Sequence, residues 1–105
     1  MGWKKKLEAL EGKIRTMKET REWSQLILLC EEALPLARKE DSNTKYLSQH
    51  NDYRCEREFL LLQGIAYTKI EKYQEAIKVF GKYKSLYIAG EEKLQKAGCT
   101  GWWQY

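Results

Sequence analysis

Leu7, Leu10, Ile14 and Met17 recur at steps of three and four, which places them on one stripe of a helix over about residues 3–19. A break at Thr20-Arg21 follows. Trp23, Leu26, Ile27, Cys30, Ala33, Leu34 and Ala37 then form a broader stripe over about 22–39, wide enough to be buried on more than one side. Pro35 lies inside it and lacks the N–H that a helix interior requires, so the pattern predicts a kink there or an end near Leu34, the kink being favoured. Asp41-Ser42-Asn43-Thr44 reads as a loop or a helix N-cap, because these short side chains compete for backbone hydrogen bonds. Between Thr44 and Asp52 only Tyr46 and Leu47 are large and apolar, and the pattern is weak.

From Tyr53 to Lys69 the apolar face returns with Phe59, Leu60, Leu62, Gly64, Tyr67 and Ile70. After a turn at Glu71-Lys72, the residues Tyr73, Ala76, Ile77, Phe80, Tyr83, Leu86 and Tyr87 keep helical spacing toward Lys96. Gly98 to Gly101 then stops the helix. A strand over Tyr83–Ile88 is the competing reading, disfavoured by the helical register before it. Four main helices in an all-α chain are expected.

Laid over itself with a shift of 50 residues, the chain repeats. Leu10, Ile14 and Met17 fall on Leu60, Gly64 and Tyr67, and Trp23, Leu26, Ile27, Cys30 and Leu36 fall on Tyr73, Ala76, Ile77, Phe80 and Leu86. The second copy, with Leu60, Gly64, Tyr67, Tyr73, Ala76, Ile77 and Phe80 in that order, resembles the tetratricopeptide repeat. Gln63, Tyr83 and Ile88 depart from the family pattern, and the first copy, with Ile14 and Leu26 at the two small-residue sites, is degenerate. The resemblance implies antiparallel helical hairpins stacked as a short array. Its parts are a degenerate repeat at about 3–39, a connector or insertion at about 40–52, a clearer repeat at about 53–96 and an aromatic tail at 97–105. It also implies that Gly64 faces Ala76 across the second hairpin.

The function implied is a non-catalytic adaptor that holds a peptide or protein surface in a groove. On the family pattern the groove-facing residues would be Glu58, Leu61, Ile65, Thr68 and Lys69 of the third helix and Glu8, Glu11, Arg15, Lys18 and Glu19 of the first, a mixed set that suits an acidic, partly apolar segment. The opposing reading makes Leu61 and Ile65 core residues covered by residues 44–53. Trp102 and Trp103 at the far end fit either insertion into a partner or a cap over the last hairpin. Two repeats, one of them degenerate, leave an apolar end uncovered, which favours a homodimer.

Composition narrows this picture. The chain has 105 residues, suiting one domain and excluding large-enzyme folds. Its net charge is +4, and the basic excess sits in residues 1–21, where seven Lys or Arg stand against three Glu. Such a stretch could serve an accessory protein for nucleic acid or an anionic membrane, the alternative reading. The interleaved Glu8, Glu11 and Glu19 favour a solvated helix face instead, and no nucleic acid is expected. The longest apolar run, Leu26–Cys30, has five residues, too few for a transmembrane segment, and without a secretory pattern the cytoplasm is the expected location.

Candidate chemistry is sparse. Cys30, Cys55 and Cys99 are too far apart for a zinc site and odd in number for disulfides, so they are expected to be reduced, with Cys30 buried and Cys99 accessible. The single His50 stands five residues from Cys55, on a different face if the segment is helical. The expectation is no catalytic residue, metal or cofactor.

Overall fold

The computed structural model describes residues 2–43 and 52–96, and these form four α-helices with no strand among them. They are α1 (Gly2–Thr20), α2 (Trp23–Asn43), α3 (Arg54–Lys69) and α4 (Tyr73–Lys96). The disfavoured strand at Tyr83–Ile88 is therefore helix. Packing follows chain order: α1 lies on α2, α2 on α3, and α3 on α4. The Thr44–Asp52 pattern, His50, Cys99, Trp102 and Trp103 fall wholly or largely outside the described residues.

The stripe Leu7, Leu10 and Ile14 is buried against Leu26, Ile27, Cys30, Ala33 and Ala37, with Phe59 and Ala66 completing the same cluster from α3. That cluster draws on three helices and on nothing from α4. Helix α4 instead buries Ala76 and Val79. Three positions of its predicted stripe are corrected: Tyr73, Ile77 and Tyr87 are exposed.

The two hairpin turns are equivalent under the 50-residue shift. In the first, the Arg21 amide donates to the Lys18 carbonyl at 3.3 Å and the Glu22 amide to the Met17 carbonyl at 2.9 Å. In the second, the Glu71 amide donates to Thr68 at 3.0 Å and the Lys72 amide to Tyr67 at 2.9 Å. Both turns place a non-glycine residue in the left-handed region, Arg21 at φ 60° and Glu71 at φ 63°, where a Cβ is disfavoured. These bonds occupy the carbonyls that a helix end would leave without partners.

Helix α2 does not end at Leu34. Pro35 is exposed, as is Glu31, whose carbonyl loses its helical partner to the proline and can turn to solvent. The helix continues through Asp41, Ser42 and Asn43, so these residues are its last turn rather than a loop. Asp41 does act as a cap, but of another helix. Its buried carboxylate accepts the Cys55 and Glu56 amides, each at 3.0 Å. The Asp52 carboxylate accepts the Arg54 amide at 3.2 Å and the Tyr53 carbonyl the Arg57 amide at 2.9 Å, so all four leading amides of α3 are occupied.

Cross-links between helices are polar as well as apolar. Arg38 of α2 donates to Glu56 of α3 at 2.9 Å, and the buried Gln63 amide donates to the Ile27 carbonyl at 3.2 Å. Gly64 packs under Phe80, since a Cβ at residue 64 would overlap the Phe80 ring. Gly90 makes the other close approach: a Cβ there would come within 2.9 Å of the Asp52 backbone.

Candidate functional site

Helix α3 turns Arg54, Glu58, Leu61, Ile65 and Thr68 outward at steps of three and four, opposite the side that carries Phe59 and Ala66 into the core. Leu61 is 39% and Ile65 38% exposed, and these two adjacent aliphatic side chains form an apolar step on this face; most of the segment 44–53 that the opposing reading would lay over them is outside the described residues. The Thr68 hydroxyl is occupied by its own helix, donating to the Gly64 carbonyl at 2.9 Å. Lys69 reaches the other way, its ammonium 6.0 Å from the Trp23 ring centroid.

Glu8, Glu11, Arg15, Lys18 and Glu19 are all exposed on α1. Glu11 ties this helix to α3. Its carboxyl is held above the usual carboxylate range, first by partial burial, then by Glu40, Glu58 and Glu8, with Arg15 opposing them. The acids Glu40, Glu58 and Glu8 all act on Glu11 in the same direction. Under the 50-residue shift, Glu11 is the counterpart of Leu61 and Arg15 of Ile65, so one half of the face is charged and the other apolar.

A cleft of about 320 Å³ borders the apolar step, lined by Arg54, Arg57, Glu58, Leu61 and Tyr83. Arg57 is fixed there. Its Nε donates to the Asp52 carbonyl at 3.0 Å, and its guanidinium lies 5.1 Å from the Tyr87 ring and 6.0 Å from that of Tyr83. The two tyrosine rings stack at 6.4 Å. Arg54, by contrast, is exposed, with its guanidinium 3.7 Å from the Asp52 carboxylate. The periodicity of the sequence did not single out this wall, because Arg57 and Tyr83 are 26 positions apart and belong to different stripes.

Comparison of the chain with known protein families, curated proteins and solved structures finds no match in any of the three. The reading of the site therefore rests on its own geometry.

The described thiols are poorly nucleophilic. Burial pushes the Cys30 thiol up to about 12, and burial together with Asp41, Glu11, Glu40 and Glu58 does the same to Cys55. Among the described residues no three His, Cys, Asp or Glu side chains gather as metal ligands, and no helix is long and apolar enough to cross a membrane. The basic N-terminal turn is partly engaged within the fold: Lys6 lies 3.9 Å from Glu32, and Lys4 is 5.7 Å from the Trp3 ring.

Proposed function

We propose that this chain is a non-catalytic interaction module of tetratricopeptide-like hairpins, which receives a peptide or helix of a partner protein along the joint face of α1 and α3. The observation that carries the reading is the half-exposed Leu61–Ile65 step beside the acids Glu11 and Glu58. The matching turns at Arg21 and Glu71 support the repeat.

The partner segment has two apolar side chains one helical turn apart and a Lys or Arg beside them. The apolar pair covers Leu61 and Ile65, and the cation sits between Glu11 and Glu58, relieving their repulsion. Arg54 and Arg57 wall one end, so a carboxylate in the ligand would lie on that side.

Selection from a displayed random-peptide library tests this reading. The parent chain should enrich peptides with an aliphatic or aromatic pair and a basic residue, and nuclear magnetic resonance shifts on titration should map to α3 and α1. Ile65→Glu should weaken the selected peptides by about tenfold or more. Enrichment of acidic peptides, or equal binding by Ile65→Glu, would overturn the assignment. Binding should also weaken as the pH falls through the raised range of Glu11, because its protonated carboxyl no longer attracts the cation.

A further inference from the structure

Under the 50-residue shift α4 is the counterpart of α2, and Ile77 of Ile27. Their surroundings differ sharply. Ile27 is 6% exposed and its carbonyl receives Gln63 from α3, whereas Ile77 is 70% exposed. The flank that α3 covers on α2 is bare on α4 among the described residues. Tyr73, Ile77 and Ile88 lie along it and Tyr87 stands at its edge, all exposed. Positions 73, 77, 81, 84 and 88 follow one another at steps of four, four, three and four, a continuous stripe along the helix. At its middle, a Cβ on Gly81 would meet nothing within 4 Å, so another backbone can approach closely there.

We propose that this stripe pairs with the same stripe of a second copy, α4 against α4 and antiparallel, about a two-fold axis near residues 82 and 83. In that register Ile77 faces the partner's Ile88. Gly81 faces the partner's Lys84, whose methylene stem lies over the glycine while its ammonium reaches water. Tyr73 faces the partner's Glu92, a carboxylate able to accept the phenol hydrogen. Each contact occurs twice, as a two-fold interface requires.

Two other occupants fit less well. Head-to-tail stacking would set this stripe on the outer side of α1, which presents Lys5, Ala9, Gly12, Lys13 and Thr16 and offers no large apolar side chain. The tail aromatics are limited by reach. Trp102 and Trp103 stand six and seven residues beyond Lys96, a span of about 25 Å at full extension. Ile77 and Tyr73 lie about 29 and about 35 Å back along the helix axis from Lys96. Those tryptophans can approach Ile88 but cannot cover the whole stripe.

Light scattering and sedimentation of the full chain, from sub-micromolar to near-millimolar concentration, test the pairing. The parent should dimerise, Ile77→Glu/Ile88→Glu should weaken the dimer by about tenfold or more, and Trp102→Ser/Trp103→Ser should leave it within about threefold. Ile77→Ala/Ile88→Ala, read the same way, carries the test with a smaller effect should the glutamates disturb folding. A parent that stays monomeric, isoleucine variants that all dimerise as the parent does, or a dimer lost with the tryptophans would each overturn the proposal. None of these outcomes depends on the α1–α3 face, so the peptide-binding reading stands or falls separately.

Discussion

The two hairpins share a turn but not a fate. At Arg21 and Glu71 the backbone makes the same left-handed cap with the same pair of amide bonds. Beyond the turn, α2 runs between α1 and α3 and buries Leu26, Ile27, Cys30, Ala33 and Ala37, while α4 rests on α3 and buries Ala76 and Val79. Equivalent positions therefore carry different energies. The turn is a local device that works wherever its residues fall. Burial depends on how many helices pack against each one.

The largest test of that contrast is truncation at the matched isoleucines. Ile27→Ala should cost about 2–5 kcal/mol, since it empties a site enclosed by neighbouring helices. Ile77→Ala should stay within about 0.5 kcal/mol in dilute, monomeric protein. Urea unfolding of both reads the difference, and equal costs would mean that α4 is as enclosed as α2.

Gly64 is the next lever, because its counterpart in the first hairpin is Ile14, buried at the α1–α2 contact. Gly64→Ala should destabilise by about 1–3 kcal/mol by forcing the Phe80 ring aside. Phe80→Leu in the same chain should recover part of that loss in a double-mutant cycle. Additive effects would place Phe80 away from the glycine.

Asp41 joins the hairpins, and Asp41→Ala should cost about 1–2 kcal/mol by stripping two amides at the start of α3 of their acceptor. Hydrogen exchange at Cys55 and Glu56 should rise in the variant, and protection retained at both amides would contradict the cap.

Equivalence of the turns predicts equal gains. Arg21→Gly and Glu71→Gly should each stabilise by about 0.5–1 kcal/mol, because glycine enters the left-handed region without the Cβ penalty. A gain at one site alone would show that the two turns are strained unequally.

The smallest effect belongs to Glu11, the charged counterpart of Leu61. Its carboxyl is raised in the fold, so the folded chain holds that proton more tightly than the unfolded chain does. Its contribution to stability is therefore greatest below the ordinary carboxylate range and declines as pH rises through the raised value. Glu11→Gln should exceed the parent by less than about 0.5 kcal/mol at neutral pH, solvent screening keeping the gain small, and match it in acid. Thermal melts across pH would expose the opposite sign if Arg15 outweighed the acids.

Much of the candidate face was legible in the chain itself. Leu61 and Ile65 recur on the side of α3 opposite Phe59, and the resemblance put Glu11 and Arg15 on the equivalent side of α1. The Arg57–Tyr83–Tyr87 wall was not legible, since a cation-to-ring contact between separate helices leaves no periodic trace. Asp41 was read as part of a loop or a helix N-cap with no helix named: a capping side chain announces that it accepts amides, and only the packed chain decides whose.

By itself the sequence determined that there are four helices, where the two hairpins turn, the 50-residue correspondence between them and the burial of Cys30, but not the last turn of α2. All of these follow from short-range spacing, because the period of a helix is set by its own backbone bonds. Tertiary structure alone decided that Pro35 is spanned, that Gly64 receives Phe80, that Gly90 admits the Asp52 backbone, and that Ile77 lies bare where Ile27 is covered. An apolar stripe records that a helix has a face to bury. Whether a neighbour covers that face is set by the elements packed beside it, which no local period encodes.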